Sequence, residues 1–265
     1  MTPKAPTVYK HNALITARYF LTLSEQLMLL ECIASTDPAT LTADTAVELS
    51  AARYASVAGI GAKDAYDDLK TASERLFSRH LIIDRPDPDD PALDHIKTRW
   101  IHKIAYYTGE GRIRLFFAPA VIPYLAQLSG NFSRYKLSHV SNFRSSYGVR
   151  LYELLIQWRG AGSREVTVAW LRERWGLETK YKAIKDLKRW VIAPAMRDIN
   201  AHSNVRVSVT QIKRGRAIHA LKFTFGTRAA KKSEAADREF IKAHARPGES
   251  WATARRRLSD ALLDE

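Results

Sequence analysis

The sequence predicts an α+β protein in which one plan of elements runs twice: helices first, then strands joined by a loop. Two observations predict it. Helical periodicity gives way to strand-like runs once before residue 117 and again before residue 225. Net charge then divides the chain between the halves. Residues 131–228 hold 20 Lys and Arg against 6 Asp and Glu; residues 1–130 hold 14 against 15, and residues 229–265 hold 8 against 7. A near-neutral half is followed by a strongly basic one. A concentrated basic field draws polyanions, nucleic acid first.

Composition bounds the rest. A chain of 265 residues has the length of about two domains. Its 46% hydrophobic content suffices for ordinary cores. A single cysteine, Cys32, excludes an intramolecular disulfide framework and a cysteine zinc site. It lies in the apolar run Leu27–Ala34 and reads as a core residue. No stretch nears the roughly 20 apolar residues of a membrane span. The first 15 residues lack the apolar core of a signal peptide. The expected location is cytoplasmic, with no membrane partner.

Residues 1–12, polar and Pro-containing, read as a flexible arm. Thr22-Leu23-Ser24-Glu25 is a capping box: the Thr22 hydroxyl accepts from an amide of the first turn and Glu25 reaches back. The helix that follows is apolar nearly all round through Ala34, and so is expected to be buried. Leu41–Leu49 alternates loosely, as a short strand does. Helices are predicted at Ala51–Ala58 and, after Gly59-Ile60-Gly61, at Ala62–Arg79. In the latter Ala65, Leu69, Ala72 and Leu76 recur on one face. Leu81–Ile83 reads as a strand and residues 85–94, RPDPDDPALD, as an acidic wing. Residues 96–107 and 112–117 are strands around the turn Thr108-Gly109-Glu110-Gly111. Pro119–Leu128 is a helix, and Ser129-Gly130-Asn131 ends the unit. This is the order of a winged-helix module, placed at 13–130.

The second half repeats the order without repeating the sequence. A helix around Tyr147–Arg159 ends at Gly160-Ala161-Gly162. Glu165–Val168 is a short strand. A helix at Ala169–Trp175 stops at Gly176. Thr179 is placed to cap a long helix from Lys180, bent or ended near Pro194. Asn200–Asn204 is a turn, and the strands 205–212 and 217–225 flank Lys213-Arg214-Gly215-Arg216. The second winged helix is thus 131–228. The polar tail 229–265 has helical composition, and its Arg255–Arg257 run reads as a solvated helix face.

On a wheel of about 100° per residue, Lys182, Lys185, Lys188 and Arg189 share one side; Ile184, Leu187 and Val191 share the other. The apolar side must dock on its own domain, so the basic side faces out. A helix of about 10–12 Å diameter fits the major groove, where Lys and Arg reach phosphates or the guanine edge. The cations of Lys213-Arg214-Gly215-Arg216 repel one another at a hairpin tip unless an anion lies nearby. Lys180, Lys182, Lys185, Lys188, Arg189, Lys213, Arg214, Arg216, Arg144 and Arg150 are the expected DNA-binding set. In the first unit the equivalent helix mixes Asp64, Asp67, Asp68 and Glu74 with its cations, which favours a protein partner over strong phosphate contact.

Enzymatic readings find little support. There is no Gly-x4-Gly-Lys-Ser/Thr phosphate loop. No histidine forms the His-x-His or His-x-x-Arg pattern of rolling-circle nucleases or tyrosine recombinases. No catalytic, metal or cofactor residue is assigned. A transcriptional repressor of the same fold and, less favoured, a strand-cleaving enzyme stay open as alternatives.

Several segments resemble the iteron-type plasmid replication initiators. They are Asn12–Ala17, Leu21–Gln26, Ala65–Lys70 and Arg75–Arg79 in the first half, and Arg150–Leu155, Tyr181–Trp190, Val191–Asn200, Lys213–Arg216 and Leu221–Phe225 in the second. Their order and spacing over residues 12–226 carry the resemblance. Asp198 departs from it, where Glu is expected. The resemblance implies two winged helices. The second reads direct repeats (iterons) in double-stranded DNA; the first supplies auxiliary DNA contact and the dimer interface. It also implies a homodimer in equilibrium with monomer and autorepression at an operator inverted repeat. Host DnaA, helicase and chaperones are implied partners, and no cofactor is.

Overall fold

The first strand of the structure lies where a loose arm is expected. In this computed structural model, which describes residues 5–87, 89–107, 109–126 and 131–227, Thr7–His11 form β1 and pair antiparallel with a strand more than a hundred residues later. Val8 and Lys10 point into the core, at 0% and 1% exposure. An inward lysine hides the alternation that would otherwise mark a strand, so the flexible arm 1–12 is corrected over residues 7–12. The Arg255–Arg257 run lies outside the described residues. Residues through Gly226 form one compact unit.

After a short α1 (Asn12–Thr16), α2 (Leu23–Ala34) begins on the capping box. The Glu25 amide donates to Thr22 Oγ1 at 3.3 Å, and the Thr22 amide donates to Glu25 Oε2 at 2.9 Å. Buried residues run without a break from Glu25 to Ile33, as an all-round apolar helix requires. Then come β2 (Val47–Ser50), α3 (Ala51–Ala58), a 3-10 turn at Ala62–Asp64 and α4 (Ala65–Ser78). Leu69, Ala72 and Leu76 of α4 are buried. Gly59, at φ +68°, ends α3 in the left-handed conformation that glycine adopts without penalty.

The run 96–107 is not one strand. β3 (His80–Asp84) pairs with β4 (His95–Arg99) as a separate hairpin, while β5 (Ile101–Tyr107) pairs with β6 (Arg112–Phe117). Trp100, fully buried between β4 and β5, pins the change of partner. Its carbonyl accepts from the Ala118 amide at 3.0 Å. Residues 85–94 therefore cap an extra hairpin and are not the wing. The wing turn is the one between β5 and β6, with Gly109 and Gly111 at positive φ. The sheet order is β2-β6-β5, and Ile113, Leu115 and Phe117 face inward while Arg112 and Arg114 face outward.

A 3-10 turn at Pro119–Val121 and α5 (Pro123–Ala126) lead to β7 (Phe132–Lys136), the partner of β1. The second winged helix follows: α6 (Ser146–Ile156), β8 (Ser163–Thr167), α7 (Val168–Arg174), a long helical segment, β9 (Val205–Arg214) and β10 (Ala217–Thr227). Its sheet order is β8-β10-β9. In both sheets the strand before the helices pairs with the last strand, so the repeat in element order is also a repeat in topology.

Candidate nucleic-acid interface

The long segment of the second unit is α8 (Ile184–Leu187), a π-helical turn at Lys188–Ile192 and α9 (Ala193–His202). It starts at Ile184, not Lys180, and Thr179 does not cap it. Two features hold the preceding residues out of the helix. Tyr181 is at φ +52°, and one Arg172 nitrogen donates to the carbonyls of Tyr181 and Lys182, each at 2.8 Å. Lys180 and Lys182 thus sit on an exposed loop ahead of the helix. The Lys180 ammonium lies 5.3 Å from the Phe20 ring centroid. The π turn has its cause in Pro194, which has no amide to donate and whose ring crowds the carbonyl four residues back. The Ala193 amide instead donates to the Lys188 carbonyl, five residues back.

Leu187, Val191, Ile192, Ala195 and Ile199 are buried, so the segment docks by the face expected to be apolar. Lys185 and Arg189 are exposed and Lys188 is half-buried. Arg197 of the same segment is also exposed, and Trp190 is 53% exposed. The Arg189 guanidinium sits over the Trp190 ring at 4.7 Å. Neither Arg197 nor Trp190 belongs to the expected set. Trp190 was legible in part, as a large apolar residue outside the apolar arc of the wheel. At the hairpin tip Lys213, Arg214 and Arg216 are all exposed, and Gly215 at φ +60° lets two residues turn the chain.

Arg144 is exposed at the edge of a cleft of about 340 Å³ that Arg197, Asp198 and His202 also line. Asp198 accepts the Arg144 and Ser145 amides at 3.0 and 2.8 Å, tying α9 to the start of α6. Burial raises its pKa, and the two amide bonds oppose that rise. The short aspartate side chain meets both amides next to Gly148, where even a Cβ would come within 2.9 Å of the carboxylate.

Arg150 corrects the expected set. It is 5% exposed, and so cannot reach DNA. Its guanidinium stacks on Tyr19 at 3.6 Å and donates to the carbonyls of Ala17 and Arg174 at 3.0 and 3.1 Å. It belongs to a polar seam between the units. Deep in that seam Lys10 donates to both carboxylate oxygens of Glu153, at 2.8 and 2.9 Å. Tyr135 donates to the same carboxylate at 2.6 Å. At the rim, Asp84 pairs with Arg18 at 2.6 Å and with Arg174, and Glu173 pairs with Arg18 at 3.3 Å.

The pattern of ion pairs separates the two units. In the first, Arg79 pairs with Glu25 at 3.0 Å, Arg53 with Glu31, Arg112 with Glu48 and Glu110 at 2.7 Å each, and Arg114 with Glu48 at 3.2 Å. In the second, no ion pair among the described residues involves Lys180, Lys182, Lys185, Lys188, Arg189, Arg197, Lys213, Arg214 or Arg216. The first unit neutralises Arg18, Arg53, Arg79, Arg112 and Arg114 with carboxylates of its own. The second presents cations to solvent along one helix and one hairpin tip, an arrangement that attracts a polyanion. Among the described residues there is no cluster of His, Cys, Asp and Glu fit to hold a metal ion. No described helix is long and apolar enough to cross a membrane.

Fold and surface together define a tandem winged-helix protein with an open cationic face on its second unit. Residues 7–156 match the family described as Initiator Replication protein, WH1, and residues 167–225 match Initiator Rep protein, WH2. The chain belongs to this family of replication initiators. It is 30% identical over 225 residues to a replication initiation protein of Escherichia coli, covering 82% of this chain and 68% of that one. It is 26% identical over 204 residues to an uncharacterized 27.6 kDa protein of the same organism, covering 73% and 84%. The crystal structure of the Pi initiator protein in complex with iteron DNA shares the fold, with a TM-score of 0.68 over 85% of this chain and 99% of that one, at 23% identity.

Proposed function

We propose that this chain starts plasmid replication by binding short direct repeats in duplex DNA at the origin, with its second winged helix in the major groove. The observation that carries the reading is the contrast in ion pairing. Cations on the 184–202 segment and at the 213–216 tip lack acidic partners among the described residues, while Arg18, Arg53, Arg79, Arg112 and Arg114 of the first unit are paired. The likeness to the Pi initiator, a protein seen with iteron DNA, supports the choice of ligand. The first unit supplies auxiliary backbone contact and the homodimer interface. Monomers open the origin with host DnaA, helicase and chaperones, and dimers repress the gene at an operator inverted repeat. The chain acts in the cytoplasm by binding, and is not an enzyme.

The test is Lys185→Ala with Arg189→Ala. Each lost base contact weakens repeat binding by about 1–3 kcal/mol, and each lost phosphate contact flattens the salt slope by about one unit. Unchanged binding would remove this helix from the interface. A plasmid lacking any other origin should be maintained by this gene and its flanking repeats. Repeat binding without maintenance would leave a repressor. Supercoiled origin DNA incubated with protein and a divalent metal should stay unnicked, and a covalent tyrosyl adduct would overturn the non-enzymatic reading.

A further inference from the structure

Trp190 is 53% exposed, more than any other large hydrophobic side chain described. The fold does not require it there. The inner face of the segment is already filled by Leu187, Val191 and Ile192, each no more than 2% exposed. Trp190 projects instead to solvent, on a segment that also exposes Lys185, Arg189 and Arg197. Arg189 lies over its ring at 4.7 Å. Stacking of a guanidinium on an indole leaves the edge of each plane free and couples their orientations. The ring is an apolar contact held inside a cationic field, and its partner must be apolar at one point and anionic around it. Duplex DNA offers such a point in the thymine C5-methyl group, which projects into the major groove between two phosphate backbones.

We infer that Trp190 is a specificity-determining residue that packs on a thymine methyl in the repeat, with Arg189 held against its ring. The inference rests on the reading that this face binds duplex DNA. The exposed Ala193, three residues on, adds no bulk beside the ring. The apolar contact selects thymine over cytosine, which lacks the methyl, whereas the flanking cations attract any sequence alike.

The test uses the full chain and a duplex site that it selects from a randomised library. Each thymine of the site is replaced singly by deoxyuridine, which deletes only the methyl, and affinity is read by fluorescence anisotropy. At one thymine or more the replacement should weaken wild-type binding about fourfold, the effect of one buried methyl-sized group. Trp190→Ala should bind the unmodified site more weakly and be indifferent to that same replacement. Trp190→Phe, which keeps an aromatic face, should retain part of the sensitivity. The inference is overturned if no replacement weakens the wild type, or if Trp190→Ala keeps the wild-type pattern. Either of those results leaves repeat binding intact. A library that yields no enriched sequence would instead refute sequence reading by this face, and the proposed function with it.

Discussion

Replacing Lys10 with Met should destabilise the protein more than any single surface change. Lys10 is 1% exposed and Glu153 is fully buried. The ammonium meets both carboxylate oxygens, at 2.8 and 2.9 Å. The substitution keeps an unbranched side chain one atom shorter and removes its charge. It leaves Glu153 a buried carboxylate with one neutral donor, the Tyr135 hydroxyl. Breaking a buried pair from one side costs about 3–5 kcal/mol. At roughly 2–4 °C per kcal/mol for a unit of this size, Tm should fall by roughly 6–20 °C. Lys10→Met with Glu153→Gln removes both charges, keeps an acceptor for Tyr135, and should recover at least half of the loss. Thermal unfolding followed by circular dichroism, with Arg112→Ala as an exposed-pair control expected to melt close to the wild type, reads all of these. A Lys10→Met protein that melts with the wild type would refute the reasoning. So would a double variant less stable than Lys10→Met. The pH dependence has a fixed sign. Burial lowers the Lys10 pKa, Glu153 raises it, and the net result lies above 10.5. A raised lysine pKa gives stability that is fully present below the unfolded value and is lost as pH rises through the folded one. The contribution should be flat across neutral pH and vanish only on the alkaline side of 10.5.

Two smaller changes test local packing. Gly148→Ala places a Cβ 2.9 Å from the Asp198 carboxylate and 3.1 Å from Phe143. It should lower stability by about 1–3 kcal/mol in denaturant titration, with wild-type stability arguing that α6 and α9 can part freely. Thr22→Ala removes one half of the capping box and should cost about 1 kcal/mol in the same titration. A loss several times larger would mean that Thr22 holds more than the helix start.

Local signals carried well into the structure, and long-range ones did not. The capping box at Thr22, the stop at Gly176 and the glycine-bearing turns were legible because each is settled within a few residues. The strand at 7–11 was not, because its inward Lys10 makes sense only opposite Glu153. The start of the helix at Ile184 was hidden for a similar reason: Arg172, outside the segment, takes the carbonyls that would have continued it. The wheel placed Lys185 and Arg189 on the outer face, yet the π turn before Pro194 alters the phase of every later residue, so Arg197 was missed. Arg150 contributes to the net charge of the basic half as much as Arg189 does. Charge alone cannot distinguish an arginine that holds two units together from one that faces solvent.

The pairing of β1 with β7 also constrains the order in which the chain can be completed. Thr7 pairs with Lys136 and His11 with Phe132. On the ribosome, the N-terminal strand must wait for about the first half of the chain before its partner emerges, and Lys10 waits longer still for Glu153. Such distant closures slow folding and leave an unpaired strand exposed meanwhile. The first winged helix is therefore sealed only as the second begins to form. A fragment cut before residue 132 would lack the partner strand of β1 and the counter-charge of Lys10, so it should be less stable than the same residues in the full chain.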